Sequence, residues 1–232
     1  MQNIAVILEA RTQSKRLKNK IFKKLGKYYM LEFLINRLKK GLKCNIIVAT
    51  SKNKKDIRIE KFCKKKKIKF FRGKENDLIH RVINCAEYFG VDIIISLTSD
   101  NPLVEPKMIK KMIKIFNKDK LDYFDNLNTS FLPRGTAVRI VKSRILKKFS
   151  DRVKNTSQYN FRQHTCHFFT KNKKSRIFKT KKFSIYKNYS LPNYSFTIDY
   201  IEDYRKINTL LKKFKYNFNI ELIKIINFLK KS

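Results

Sequence analysis

Two aspartates and a run of cations are the residues of this 232-residue chain whose types and spacing suit chemistry. Arg11, Ser14, Arg16 and Lys20 fall within ten residues, with Lys15 and Lys18 between them, directly after the apolar run Ile4-Ala5-Val6-Ile7-Leu8. Guanidinium forks pair with phosphate oxygens and ammonium groups add point charge, so this stretch reads as a holder for a polyphosphate. Asp100 sits in Thr98-Ser99-Asp100-Asn101-Pro102, just after a second apolar run at 91–97. A carboxylate at the carboxyl end of a parallel strand can take a divalent cation beside a nucleotide, and magnesium (Mg²⁺) favours few protein carboxylates together with substrate phosphates. Asp199 ends another strand-like piece, Tyr194-Ser195-Phe196-Thr197-Ile198. Each residue has a plainer alternative. Lysine is abundant throughout, so the loop can be a solvated basic surface; Asp100 can form a turn or cap a helix; Asp199 can be the N-cap of a helix that begins at Tyr200. No Ser-His-Asp or Cys-His nucleophile is legible.

The elements that must position these groups follow from hydropathy. The first apolar run is too short for a helix core and rich in Ile and Val, which predicts a buried parallel strand. A helical pattern covers 30–39, a second strand 44–51, a helix 57–67, a short strand 68–71, a helix 77–89, a strand 91–97 and a helix 106–116 opened by Pro106. This alternation predicts an α/β fold, a mostly parallel sheet with helices on both faces. Ligands of such sheets lie beyond the carboxyl ends of the strands, where the basic loop and Asp100 fall. After Asp119 the pattern changes: β-like pieces at 136–141, 166–170, 176–178, 183–186 and 194–198, and helices at 143–149, 200–214 and 220–229. The reading is one domain over 1–232, with about 130–190 as a β-rich insertion that serves an acceptor site or a homodimer contact.

Composition narrows the class. A hydrophobic content of 42% over this length supports one sizeable core. No apolar run is long enough to span a bilayer, and no secretory leader is visible, so the expectation is a cytoplasmic protein. The net charge of +38 by itself suggests nucleic acid or an anionic membrane. The lysines, however, are spread along the chain, while Gly (5), Pro (4) and Trp (0) are scarce, the pattern of an A+T-rich genome. Neither a specific nucleic acid nor a membrane is therefore expected as partner. Cys44, Cys63, Cys85 and Cys166 form no C-x-x-C pair and are expected as free thiols; Cys166 lies between His164 and His167, at a spacing that matches no zinc pattern.

Ala10-Arg11-x-x-Ser14-x-Arg16-Leu17-x-x-Lys20 resembles the signature loop of sugar cytidylyltransferases. That family includes the spore-coat polysaccharide SpsF-type proteins and the synthetases that make CMP-activated sialic, pseudaminic and ketodeoxyoctulosonic acids. Its loop usually reads Q-A-R-x-G-S-x-R-L-P-G-K. Here Glu9 replaces the Gln, Gln13 the Gly and Lys18-Asn19 the Pro-Gly, so the charges and hydroxyl are kept and the turn residues are not. Ser99 to Leu103 resembles the family's G-D-x-P-L, and Asp199 to Tyr204 its D-T-P-E-D-L. These matches span nearly the whole chain in the right order.

The resemblance implies the nucleotide-diphospho-sugar transferase (Rossmann-like) architecture and transfer of CMP from CTP to an acidic or other surface-polysaccharide sugar, with release of pyrophosphate. It implies that Asp100 and Asp199 share Mg²⁺ with the triphosphate, and that Arg11, Arg16 and Lys20 neutralise phosphate charge. Ala10 and Ser14 of the loop, Ser51, Arg72 and Gly73 at two strand ends, and Arg81 in a D-V-L-x-R-like helix start are implied to surround the nucleotide; Arg81 can equally be a solvated helix residue. Asn126, in a match to D-Y-V-S-N, and Arg162 and His164, in a match to R-E-H-V-T, are implied on the sugar side. Pro133 to Arg139 departs most, since Arg134, Ala137 and Arg139 stand where SpsF-type relatives have acids. Two other readings are a glycosyltransferase on a similar fold, which would need a D-x-D-like motif that Ser99-Asp100-Asn101 does not supply, and a basic nucleic-acid-binding protein, which would need stacking aromatics grouped with Lys and Arg.

Overall fold

The computed structural model describes residues 2–14, 16–127, 131–152, 162, 164–172, 177–181, 183 and 187–231. Strand β1 (Ile4–Glu9) is followed by the basic loop, a small hairpin of β2 (Lys24–Leu25) and β3 (Tyr28–Tyr29), and helix α1 (Met30–Gly41). Then come β4 (Asn45–Ser51), α2 (Ile57–Lys65), β5 (Lys69–Gly73), α3 (Leu78–Tyr88), β6 (Ile93–Thr98) and α4 (Pro106–Lys118). The second half contributes β7 (Tyr123–Asp125), β8 (Arg139–Lys142), α5 (Ser143–Arg152), α6 (His167–Lys171), α7 (Ile201–Lys213) and α8 (Leu222–Lys231). The large sheet has the order β5-β4-β1-β6-β8-β7. Its first four strands are parallel, and β8 runs antiparallel to both β6 and β7.

The alternation of side chains along β1 divides the interior in two. Val6 and Leu8 face a core closed by Phe33 and Leu34 of α1, Ile59 of α2 and Met108, Ile109 and Met112 of α4. Ala5 and Ile7 face the other core, with Ile79 and Val82 of α3, Leu146 and Phe149 of α5 and Phe169 of α6. Burial on both faces is why β1 reads as a continuous apolar run. The expected parallel sheet with helices on both faces is therefore present.

One buried ion pair locks the frame behind the strand ends. Arg37 of α1 donates to the carbonyls of Val104, Phe218 and Ile220 and to the Glu105 carboxylate. Glu105 in turn accepts from the amides of Lys107 and Leu222, capping α4 and α8 together. The segment after β6, which carries Asp100, is thereby fixed relative to α1 and the C-terminal helix.

Several short pieces differ from the sequence reading. The expected strand at 166–170 is helix α6, because Phe168 and Phe169 both pack into an aromatic cluster with Tyr123, Phe149 and Phe178, which a strand would split between its faces. At 194–198 the pairing is a single bridge between Ser195 and Arg134. Ile177 and Phe178 lie in no strand, and 184–186 fall outside the described residues. Within about 130–190 the described residues hold one sheet strand, β8, and the helices α5 and α6.

Candidate active site

The loop after β1 folds back on itself through Thr12. The Thr12 carbonyl accepts the amides of Ser14 and Asn19, and Asn19 takes a left-handed conformation with φ 55. This turn brings Lys20, although buried, to the carboxyl ends of the strands. There its ammonium donates to Asp100 Oδ2 at 2.8 Å and to Asp199 Oδ1 at 2.9 Å. The Arg16 guanidinium reaches Asp199 Oδ2 at 2.7 Å and lies over the Tyr200 ring, 5.4 Å from its centre. The two aspartates also meet through the backbone, since the Ile198 amide donates to the Asp100 carbonyl. Gly135 supports this approach: it has φ +89, and a Cβ there would stand 2.6 Å from the Thr197 nitrogen.

Neither aspartate caps a helix with its carboxylate. Glu105, not Asp100, caps α4, and Asp100 Oδ1 accepts from Thr98 Oγ1. Tyr200 is the N-cap of α7, and Asp203 accepts the amides of Asp199 and Tyr200, so the Asp199 carboxylate is left to Arg16 and Lys20. Burial pushes the Asp199 carboxyl up, but the hydrogen bonds from Arg16 and Lys20 outweigh this and hold it below the usual carboxylate value. It is ionised at neutral pH.

A cleft of about 480 Å³ opens over these groups. Its walls are Ala10, Arg11, Ser14, Arg16 and Lys20 of the loop, Thr98, Ser99 and Asp100 after β6, and Asp199; Leu78 and Arg81 of α3, Glu75, His164 and Glu9 close the far side. Arg81 is no solvated helix residue. It is 5% exposed, and its terminal nitrogen donates to the carbonyls of Lys74 and Glu75. Its Nε is buried with no protein partner. The His164 imidazole stays below its ordinary value through burial and the nearby charges of Arg139 and Arg11, so it is neutral at pH 7.

The remaining residues singled out in the sequence lie outside the cleft wall. Ser51 is buried and donates to Asp56 at 2.5 Å. The Arg72 guanidinium is spent on the carbonyls of Ser51 and Asn53 and on Glu60, stapling β4, β5 and α2. Gly73 backs the site, since a Cβ there would stand 2.8 Å from Arg81 Cγ. Asn126, expected to face the sugar, is 2% exposed; its side-chain amide donates to the Thr136 carbonyl and its oxygen accepts the Val138 amide. It secures the segment entering β8. Arg162 forks onto Asp77 Oδ2, the N-cap of α3, and so tethers its own segment to that helix.

Glu9 is a cleft residue to which the sequence reading gave no role. It continues the Ala5 and Ile7 face of β1, so alternation alone places it. One oxygen accepts from Ser96 Oγ at 2.8 Å and Thr165 Oγ1 at 2.6 Å. Burial raises its carboxyl above the ordinary value. Among the described residues no group of three His, Cys, Asp or Glu side chains gathers as a metal site, and Cys166 is a buried free thiol pushed up to about 12 by burial.

A mostly parallel sheet with a cationic loop at its carboxyl end, where Asp100 after β6 meets Asp199, suits a ligand that carries phosphates. The family model described as Cytidylyltransferase matches residues 5–225, and the chain belongs to that family; it is a nucleotidyltransferase. It is 33% identical over 227 residues to an uncharacterized protein of Methanocaldococcus jannaschii, covering 97% of this chain and 90% of the relative. It is 29% identical over 218 residues to the spore coat polysaccharide biosynthesis protein SpsF of Bacillus subtilis, covering 92% and 88%. Among solved structures, a cytidylyltransferase from Leptospira borgpetersenii superposes with a TM-score of 0.88 at 26% identity, covering 100% of this chain and 95% of that one.

Proposed function

We propose that the chain transfers CMP from CTP to a hydroxyl of a surface-polysaccharide sugar and releases pyrophosphate, with Mg²⁺ held by Asp100 and Asp199. The observation that carries this reading is the meeting of those two carboxylates around Lys20 and Arg16. The residues fit the ion: two carboxylates, one after β6 and one just before α7, with an open cleft beside them, suit a cation that takes its other ligands from phosphate and water. Bound there, the ion would supply charge neutralisation for the triphosphate. Lys20 and Arg16 line the cleft beside the aspartates, within reach of phosphate oxygens bound there, and Arg11 adds a third positive charge along the cleft. Ser14 and the backbone at Ala10 complete the cradle. The sugar hydroxyl attacks the α-phosphorus in line, and the three cations favour departure of pyrophosphate by stabilising charge that grows on it.

The Arg81 side chain in the cleft wall supports a polar ligand there, and the cytosine base is the ligand assigned to that side. The name of the Bacillus subtilis relative supports a polysaccharide sugar as acceptor. Arg134 and Arg139, standing where relatives have acids, and neutral His164 at the cleft support a sugar that carries an anionic group. His164 in the cleft wall also supports assigning the segment about 130–190 to the acceptor side, with a homodimer contact as the other reading of that segment. Family membership supports an enzyme over a nucleic-acid-binding protein, and the cytoplasm, where CTP is made, as its compartment. No helix among the described residues is long and apolar enough to cross a membrane. Calorimetry with CTP tests the metal assignment: binding should strengthen with Mg²⁺ in the native chain and lose that dependence in Asp199→Asn. Equal Mg²⁺ dependence in both proteins would contradict it.

A further inference from the structure

The loop that carries Arg11, Arg16 and Lys20 has neither Gly nor Pro between Ala10 and Lys20, yet it turns back on Thr12. Asn19 meets part of the need, because asparagine tolerates the left-handed region that Gly ordinarily fills. The rest is met from outside the loop. Asp56 Oδ1 accepts the Thr12 amide at 2.7 Å and Thr12 Oγ1 at 2.6 Å. Asp56 Oδ2 accepts Ser51 Oγ, which anchors the carboxylate to the end of β4. Thr12 and Asp56 are 2% and 1% exposed, and neither lines the cleft. From the other side of the same residue, the Thr12 carbonyl gathers the amides of Ser14 and Asn19. Lys20 follows directly and reaches both aspartates.

We propose that Asp56 and Thr12 form a positioning clamp that holds the phosphate loop in its working shape, in a stretch that has no Gly or Pro of its own. The clamp acts through Arg11, Ser14, Arg16 and Lys20, so its effect on turnover rests on the cytidylyl-transfer reading above. A charge-assisted pair of hydrogen bonds to one buried carboxylate fixes both the backbone and the side chain of Thr12. Freed from it, the loop would keep its composition and lose its register on the triphosphate.

The test is Thr12→Val, nearly isosteric and lacking only the hydroxyl, beside Thr12→Ser, which restores it. Two readouts are taken in the full-length chain. Amide hydrogen exchange at Ser14 and Asn19, without any ligand, should quicken at least several-fold in Thr12→Val and stay near native in Thr12→Ser. With CTP, Mg²⁺ and an accepted sugar, kcat/KM for CTP should fall roughly 10- to 100-fold in Thr12→Val, with recovery in Thr12→Ser and little change in melting temperature. Native exchange and native kcat/KM in Thr12→Val would overturn the clamp. An inactive native chain would overturn the functional reading instead, and the exchange comparison would still decide the clamp.

Discussion

Arg16 has 51% of its side-chain surface in solvent, and its pairing with Asp199 holds little of the fold together. Its work is in the cleft, so Arg16→Ala should leave the unfolding midpoint almost unchanged and lower CTP turnover by about 100-fold or more. A folded variant with native turnover would reduce the loop to basic surface. Glu9 makes the opposite kind of prediction. Burial raises its carboxyl, and the hydrogen bonds from Thr165 and Ser96 with the charges of Arg139 and Arg81 restore it only in part. The folded chain therefore holds this proton to higher pH than the unfolded chain does. The stability this brings is complete below the ordinary carboxylate value and is lost as pH rises through the folded value. Glu9→Gln keeps the acceptor for both hydroxyls and removes the titration. It should melt higher than the native chain near pH 8, and the two should converge towards pH 4; parallel curves across that range would contradict the account.

At the scale of elements, the helix-to-helix tie at Arg37 is the point where one change should cost most. Arg37 is 1% exposed and supplies three carbonyls and one carboxylate from α1. Arg37→Met should destabilise by about 3–5 kcal/mol in urea unfolding, because Glu105 and the three carbonyls lose their partner in a buried setting. A loss within the error of the measurement would show that water replaces the guanidinium. How much of this was legible in the sequence depended on the range of the interaction. The strands β1, β4 and β6 were legible because burial on both faces writes an unbroken apolar run. Lys20, Asp100 and Asp199 were legible as chemistry because strand ends are fixed points of such a sheet. The Thr12–Asp56 contact joins residues 44 apart, and neither has a partner in any local pattern. The resemblance put Asn126 and Arg72 beside a ligand, and a motif match looks the same whether the side chain meets substrate or backbone. The 166–170 piece read as a strand because its aromatics are apolar and few, and only the cluster around Tyr123 selects the helix.

Across the whole molecule, 56 Lys and Arg against 18 Asp and Glu would suit a partner with many phosphates. Yet four of the 18 acids, Glu9, Glu75, Asp100 and Asp199, line one cleft, and two of them meet there. A duplex-binding face would gain nothing from carboxylates there, and its affinity would collapse with salt through counterion release. The family fold, the cationic loop and the carboxylate pair together make cytidylyl transfer to a sugar the central claim. The most direct measurement is pyrophosphate release by the native chain with each of CTP, ATP, GTP and UTP, with and without Mg²⁺, across a panel of neutral and anionic sugars. Release is expected with CTP far above the other nucleotides, only with Mg²⁺, and only when an anionic sugar is present. Release that is indifferent to the base, or that needs neither metal nor sugar, would contradict it.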